Sequence, residues 1–196
     1  MFWVSVGVAV AIVVLAGPFG LIFFATNLLG NHGNSADQAA DKYGGNNFAD
    51  CSSFADRGPD IPSMARQVSR VFDPRVSDSG LLYCTFQTDD HGGPSVTFKA
   101  DWQLTRSSES GSDKEESYFV GLVEGSGDGS PVGIEVGEQS HWLNDASAGS
   151  CALVVLDRNA SFEVHYHAPG GGHSLEACRG SLRKVTQELF AAAQPR

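Results

Sequence analysis

Glu163, His165 and His167 come closest, by type and spacing, to a metal-ligating set. They alternate with Phe162, Val164 and Tyr166, so an extended chain puts two imidazoles and a carboxylate on one face. Such a trio, completed by a further ligand such as His173, could hold a divalent metal. The competing reading is stronger: these are the wet positions of a half-buried hairpin, polar whatever the function. No metal or other cofactor is therefore expected.

Other chemistry is thinly represented. There is no G-x-S-x-G elbow for a nucleophilic serine and no G-x-x-x-x-G-K loop for phosphate. Of the Gly clusters GSGDG and GGGHS, only the second precedes an expected helix, and no basic residue lies near it in sequence. Asp113, Glu115 and Glu116 suit the first turn of a helix, where carboxylates complement the macrodipole. Asn159-Ala160-Ser161 has the form of a glycosylation sequon and reads as incidental. With 13 basic against 23 acidic side chains, a net charge of -10 opposes binding to a phosphate backbone, and nucleic acid is excluded as an expected partner.

The elements that would carry these residues begin after an unusual stretch. Met1 to Ala36 contains no Asp, Glu, Lys or Arg, and from Phe2 to Leu29 only Ser5, Thr26 and Asn27 are polar. As a helix, residues 2–29 would rise about 42 Å against a hydrocarbon core of about 30 Å, enough to span a bilayer with tilt. A cleaved signal peptide is the alternative, with secretion as its consequence. It would need a basic start, a shorter apolar core and a small-x-small exit, and the sequence supplies none convincingly. A lipid anchor is rejected because the first cysteine is Cys51. Gly7 with Ala11, and Ala16 with Gly20, have the small-xxx-small spacing that lets membrane helices pair, and Pro18 is a possible kink.

Cys51, Cys84, Cys151 and Cys178 form no C-x-x-C and no zinc spacing. An even set in a small acidic domain points to disulfides and an oxidising compartment. Three pairings are possible. The local one, Cys51 with Cys84 and Cys151 with Cys178, is expected because each bridge closes a loop around one strand and its neighbour. The domain would then face outward from the membrane, with the N-terminus inside.

Residues 30–47 read as a flexible tether and residues 48–196 as the folded domain. Met64, Val68, Val71 and Phe72 fall at i, i+4, i+7 and i+8 and predict a helix ending at Asp73-Pro74. Leu82, Cys84 and Phe86 begin a hairpin, and Val96, Phe98, Ala100, Trp102 and Leu104 alternate as the clearest strand. Ser112 and Glu115 match a capping box for a helix carrying Tyr118, Phe119, Leu122 and Val123 on one side. Val132 to Val136 reads as a short strand. Ser150 to Asp157, apolar on both faces, reads as a central strand covered on both sides, followed by a tight turn and the strand of Phe162, Val164 and Tyr166. Ser174 caps a final helix with Leu175, Cys178, Leu182, Val185 and Leu189 in one stripe. The expected fold is α+β: an antiparallel sheet of about five strands with helices mainly on one face, preceded by one transmembrane helix.

The first cysteine at the domain start (Cys51), the second inside the first strand (Cys84), the GEQSHW stretch at Gly137 to Trp142 before an apolar strand, and the closing Ala/Leu-rich helix form a pattern. It resembles small anchored extracytoplasmic domains of unknown function from actinobacteria, of the lipoprotein and kinase-sensor type. The resemblance covers Asp50 to Ala193, is structural in its motifs, and departs from the lipoproteins in lacking the lipid-bearing cysteine. It implies placement in the envelope and a non-enzymatic role. The expected partners are the bilayer, through residues 2–29, and an unidentified protein or envelope ligand. The alternatives are a metal-binding envelope protein using Glu163, His165 and His167, and an accessory subunit of a membrane complex joined through Gly7, Ala11, Ala16 and Gly20.

Overall fold

The computed structural model describes residues 41–44, 50–72, 78–88, 92–106, 108–144, 149–168 and 174–195. The chain divides into two compact units, Met1–Asp37 and Gln38–Arg196, and only the second falls among these residues. The expected membrane helix, its Gly7, Ala11, Ala16 and Gly20, and His173 lie outside them. Among the described residues no helix is long and apolar enough to cross a membrane.

The second unit is an antiparallel sheet with helices on both faces. Its elements are α1 (Cys51–Ala55), β1 (Met64–Val71), β2 (Ser79–Gln87), β3 (Ser95–Gln103), α2 (Gly111–Ser126), β4 (Gly127–Pro131), β5 (Gln139–Leu143), β6 (Ser150–Asp157), β7 (Ala160–His167) and α3 (Leu175–Ala193). The strands lie in the order β1-β2-β3-β7-β6-β5-β4, every neighbouring pair antiparallel. Seven strands thus replace the expected five. Residues Met64–Val71, read as helical, form edge strand β1. A register shift between Gln67 and Ser69 makes Val68 a bulged residue. One extra residue in a two-residue period imitates helical spacing, and Met64, Val68 and Val71 are 48%, 50% and 62% exposed rather than core. The expected strand at Val132 to Val136 is a loop instead, with Val132 and Val136 buried beneath it. Gly133 and Gly137 both have positive φ there, and a Cβ on Gly137 would come within 2.4 Å of the Leu156 carbonyl oxygen.

The core explains why the helices do not share one face. Leu82, Cys84, Phe86, Val96, Phe98, Ala100, Trp102, Leu153, Val155, Phe162 and Val164 project to one side. There α1 supplies Phe54 and α3 supplies Cys178, Leu182, Val185 and Leu189. Leu175, the first residue of the expected stripe, is 57% exposed. Ala152, Val154 and Leu156, the alternate residues of β6, project to the other side and are covered by Phe119 of α2 together with Leu143. A strand apolar on both faces requires a cover on each. Two disulfides fasten this arrangement: Cys51–Cys84 joins α1 to β2, and Cys151–Cys178 joins β6 to α3. The Arg179 and Arg183 guanidinium groups lie 4.5 and 5.2 Å from the Trp142 ring centroid, and Arg179 pairs with Asp128 at 2.6 Å.

Part of the expected tether belongs to the folded unit. Tyr43 is 1% exposed, its ring packed edge-on against Phe162 at 5.3 Å. Its backbone N–H donates to Asn159 Oδ1 at 2.9 Å, while Asn159 Nδ2 donates to the Tyr43 and Gln103 carbonyls at 2.8 and 2.7 Å. The Tyr43 hydroxyl donates to Asp157, which also pairs with Lys42. Asn159, with Arg158 in the turn between β6 and β7, thus anchors the entering chain; Arg158 has a φ of 58°.

Candidate functional site

On the sheet face opposite α1 and α3, α2 packs its apolar residues on β5 and β6 and reaches β3 and β7 through Tyr118, leaving β1 and β2 uncovered by it. Over β1, β2, β3 and β7 this face presents cross-strand rows that follow from the register. Ser69, Tyr83, Lys99 and Glu163 stand side by side, as do Val71, Leu81, Asp101 and Ser161. Arg66, Thr85, Thr97 and His165 form a third row. A groove of about 500 Å³ crosses these rows, lined by Ser69, Leu81, Tyr83, Thr97, Lys99 and His165.

Lys99 is the hub of the inner end. Its Nζ lies 2.7 Å from Asp101 Oδ2 and 2.7 Å from Glu163 Oε1, and donates to the Tyr118 hydroxyl of α2 at 3.3 Å. Burial opposes the Lys99 charge, but the bonds to Asp101 and Glu163 outweigh it and push the ammonium well above its usual range. Burial likewise opposes ionisation of Glu163, yet nearby His165 and Lys99 prevail and hold its carboxyl at about 2. For Asp101 burial wins: the Lys99 contact offsets it in part, the Glu163 charge adds to it, and the carboxyl is raised. Lys99 is therefore fixed as a cation and Glu163 as an anion at neutral pH. Neither is poised to exchange a proton with a substrate there.

Behind this network is Glu115. It is fully buried on α2 one turn before Phe119, facing Ser161 of β7. Burial raises its pKa to about 7, a rise that Ser161 and Lys99 oppose and Asp101 reinforces. The helix cap expected at Ser112 and Glu115 lies earlier: Ser110 is the N-cap, and its side chain accepts from the Ser112 N–H at 3.2 Å. The Ser112–Glu115 spacing concealed a buried acid.

The sequence-derived trio is only partly assembled. Glu163, His165 and His167 share the expected face, and His165 Nε2 is 3.8 Å from Glu163 Oε2. The Glu163 carboxylate, however, is engaged by Lys99, and His167 is exposed at the strand end. Among the described residues no group of three or more His, Cys, Asp or Glu side chains is placed to hold a metal ion. Glu115 and Tyr118 were expected only as helix residues, and Lys99, Asp101 and Tyr83 were not expected at a site. Lys99 and Asp101 were legible as the wet face of β3, but their meeting with Glu163 depends on β3 pairing with β7, which brings Lys99 to a residue 64 positions away in the chain.

The depressed Glu163 carboxyl stabilises the fold above its ordinary value of 4.5, and that contribution disappears as pH falls through about 2. With Lys99 partly open to solvent, we expect about 2 kcal/mol from this source. Urea unfolding from pH 5 to pH 2 should therefore show a shallower loss in Glu163→Gln than in the native chain; parallel curves would contradict it.

No protein-family model, curated protein or solved structure matches the chain.

Proposed function

We propose that the chain is a single-pass membrane protein, anchored through residues 2–29, whose disulfide-bonded domain lies outside the cytoplasm. In this reading the domain binds a partner or envelope ligand on the uncovered sheet face without catalysis. The observation that carries the reading is that all four cysteines are paired and none is free, an arrangement that persists in oxidising compartments and is rare in the cytosol. The uncharged stretch before the domain supports the anchor.

Binding is favoured over catalysis by the character of the groove. Its half-buried Leu81, Tyr83 and Thr97 offer apolar contact area, with Lys99 and His165 as orienting polar groups. The charged groups at its inner end are neutralised by one another rather than left reactive. Protease added to intact cells tests the placement. The reading expects fragments from residues 41–195 to be lost without lysis. Protection that persists until the membrane is permeabilised would overturn it.

A further inference from the structure

We propose that Glu115 is a proton-operated latch: protonated, it lets α2 lie on the sheet, and ionised, it loosens α2 and uncovers the apolar face of β5 and β6. The inference does not depend on the compartment proposed above. It stands on geometry. Of the sixteen residues of α2 only Gly111, Glu115 and Phe119 are buried, so one of the helix's few inward side chains is a carboxyl. Its neutral hydrogen-bonding neighbour is the buried Ser161 of β7, which opposes the rise in its pKa without offsetting the burial. A neutral carboxyl tolerates such a place far better than a carboxylate, whose burial without compensation is costly.

The neighbours leave the proton as the available compensation. From β3, Lys99 and Asp101 face this region, and Lys99 is already shared between Asp101 and Glu163. From β7 come Glu163 and His165; from β6 only Ala152, Val154 and Leu156 pack on α2. His141 of β5 lies against the Phe119 ring at 5.8 Å, and Asp128 of β4 is held by Arg179. On α2 itself Lys114 pairs with Asp78, and Asp113 and Glu116 lie in its first turns. The lysine nearest Glu115 is thus already committed to two other carboxylates. Release of the helix would expose Phe119, Leu143, Ala152, Val154 and Leu156, an apolar patch suited to an apolar partner surface.

The sign follows from linkage. A carboxyl at about 7 in the closed state, returning to its ordinary 4.5 when α2 opens to water, favours closure at low pH and loses that advantage as pH rises through 7. Between pH 5 and pH 8 the opening equilibrium should rise roughly seventyfold.

Hydrogen exchange of the full-length chain in detergent, corrected for intrinsic rates, tests this at pH 5 and pH 8. The expected result is a loss of protection in α2 peptides of that order, with α3 peptides changing much less. In Glu115→Gln, or in Glu115→Met should the amide variant fold poorly, α2 should stay protected at both pH values. His141→Gln should behave as the native chain. Protection of native α2 that is equal at both pH values would overturn the proposal. So would a loss shared equally by α3, a loss that persists in the folded Glu115 variants, or one abolished by His141→Gln.

Discussion

Replacing Cys151 and Cys178 together by Ser is expected to lower the unfolding free energy by about 3.5 kcal/mol, and replacing Cys51 and Cys84 as well to remove a similar amount again. The bridges span 27 and 33 residues, so the chain-entropy cost relieved in the unfolded state is nearly the same for each. Their structural consequences differ. Cys178 lies within a stripe where Leu182, Val185 and Leu189 hold α3 to the sheet by burial alone. Cys51 belongs to a five-residue helix whose other buried residue is Phe54, its ring 5.5 Å from Phe98. Loss of Cys51–Cys84 should therefore fray α1 locally as well as lower global stability. Against a typical domain stability of about 5–15 kcal/mol, the chain without either bridge should be largely unfolded at 37 °C. Urea titration of the two double variants and the quadruple variant checks this; a quadruple variant within about 2 kcal/mol of the native chain would contradict it.

The second large effect is expected at Phe162. Its ring meets Phe98 at 5.9 Å, Phe190 of α3 at 5.5 Å and Tyr43 at 5.3 Å, so one side chain connects sheet, helix and entering segment. Phe162→Ala should cost about 3–5 kcal/mol, from lost transfer free energy and the cavity left behind. Phe162→Leu, closer in volume, should cost less than half of that. The Tyr43 amide should exchange faster in the Ala variant, because the ring that seats Tyr43 is gone while its bonds to Asn159 remain. A cost below about 1 kcal/mol would mean that the core closes over the site.

How much of this was readable beforehand depended on whether a signal is local. The strand of Val96 to Trp102 and the terminal helix were legible because alternation and the Ser174 cap lie within a few residues; that cap accepts from the Ala177 N–H at 3.2 Å. The apolarity of Ala152 to Leu156 on both faces announced two covering layers, and those layers are α3 and α2. Strand β1 was not legible as a strand, because the bulge at Val68 broke its period and its apolar residues lie at an open edge. Strand β4, Gly127–Pro131, has the composition of a loop and pairs irregularly. Tyr43 looked like part of a tether since nothing local marks it as buried; its partners Asn159 and Asp157 lie 116 and 114 residues away.

The candidate site was less legible for the same reason. Glu163, His165 and His167 were visible as one face, but a lysine from a non-consecutive strand determines what Glu163 does. Glu115 was masked by a pattern with a sound local explanation, since S-x-x-E is also how a capping box reads. Only the position of α2 over β7 and β3 shows that this carboxyl points inward.

The placement of a disulfide-bonded domain outside a membrane is tested most directly by mass spectrometry of the protein from its native membrane, intact and then digested without reduction. The expected result is an intact mass that includes residues 1–29 and linked peptides joining Cys51 to Cys84 and Cys151 to Cys178. An N-terminus beginning near residue 26, or free thiols at these four positions, would contradict it.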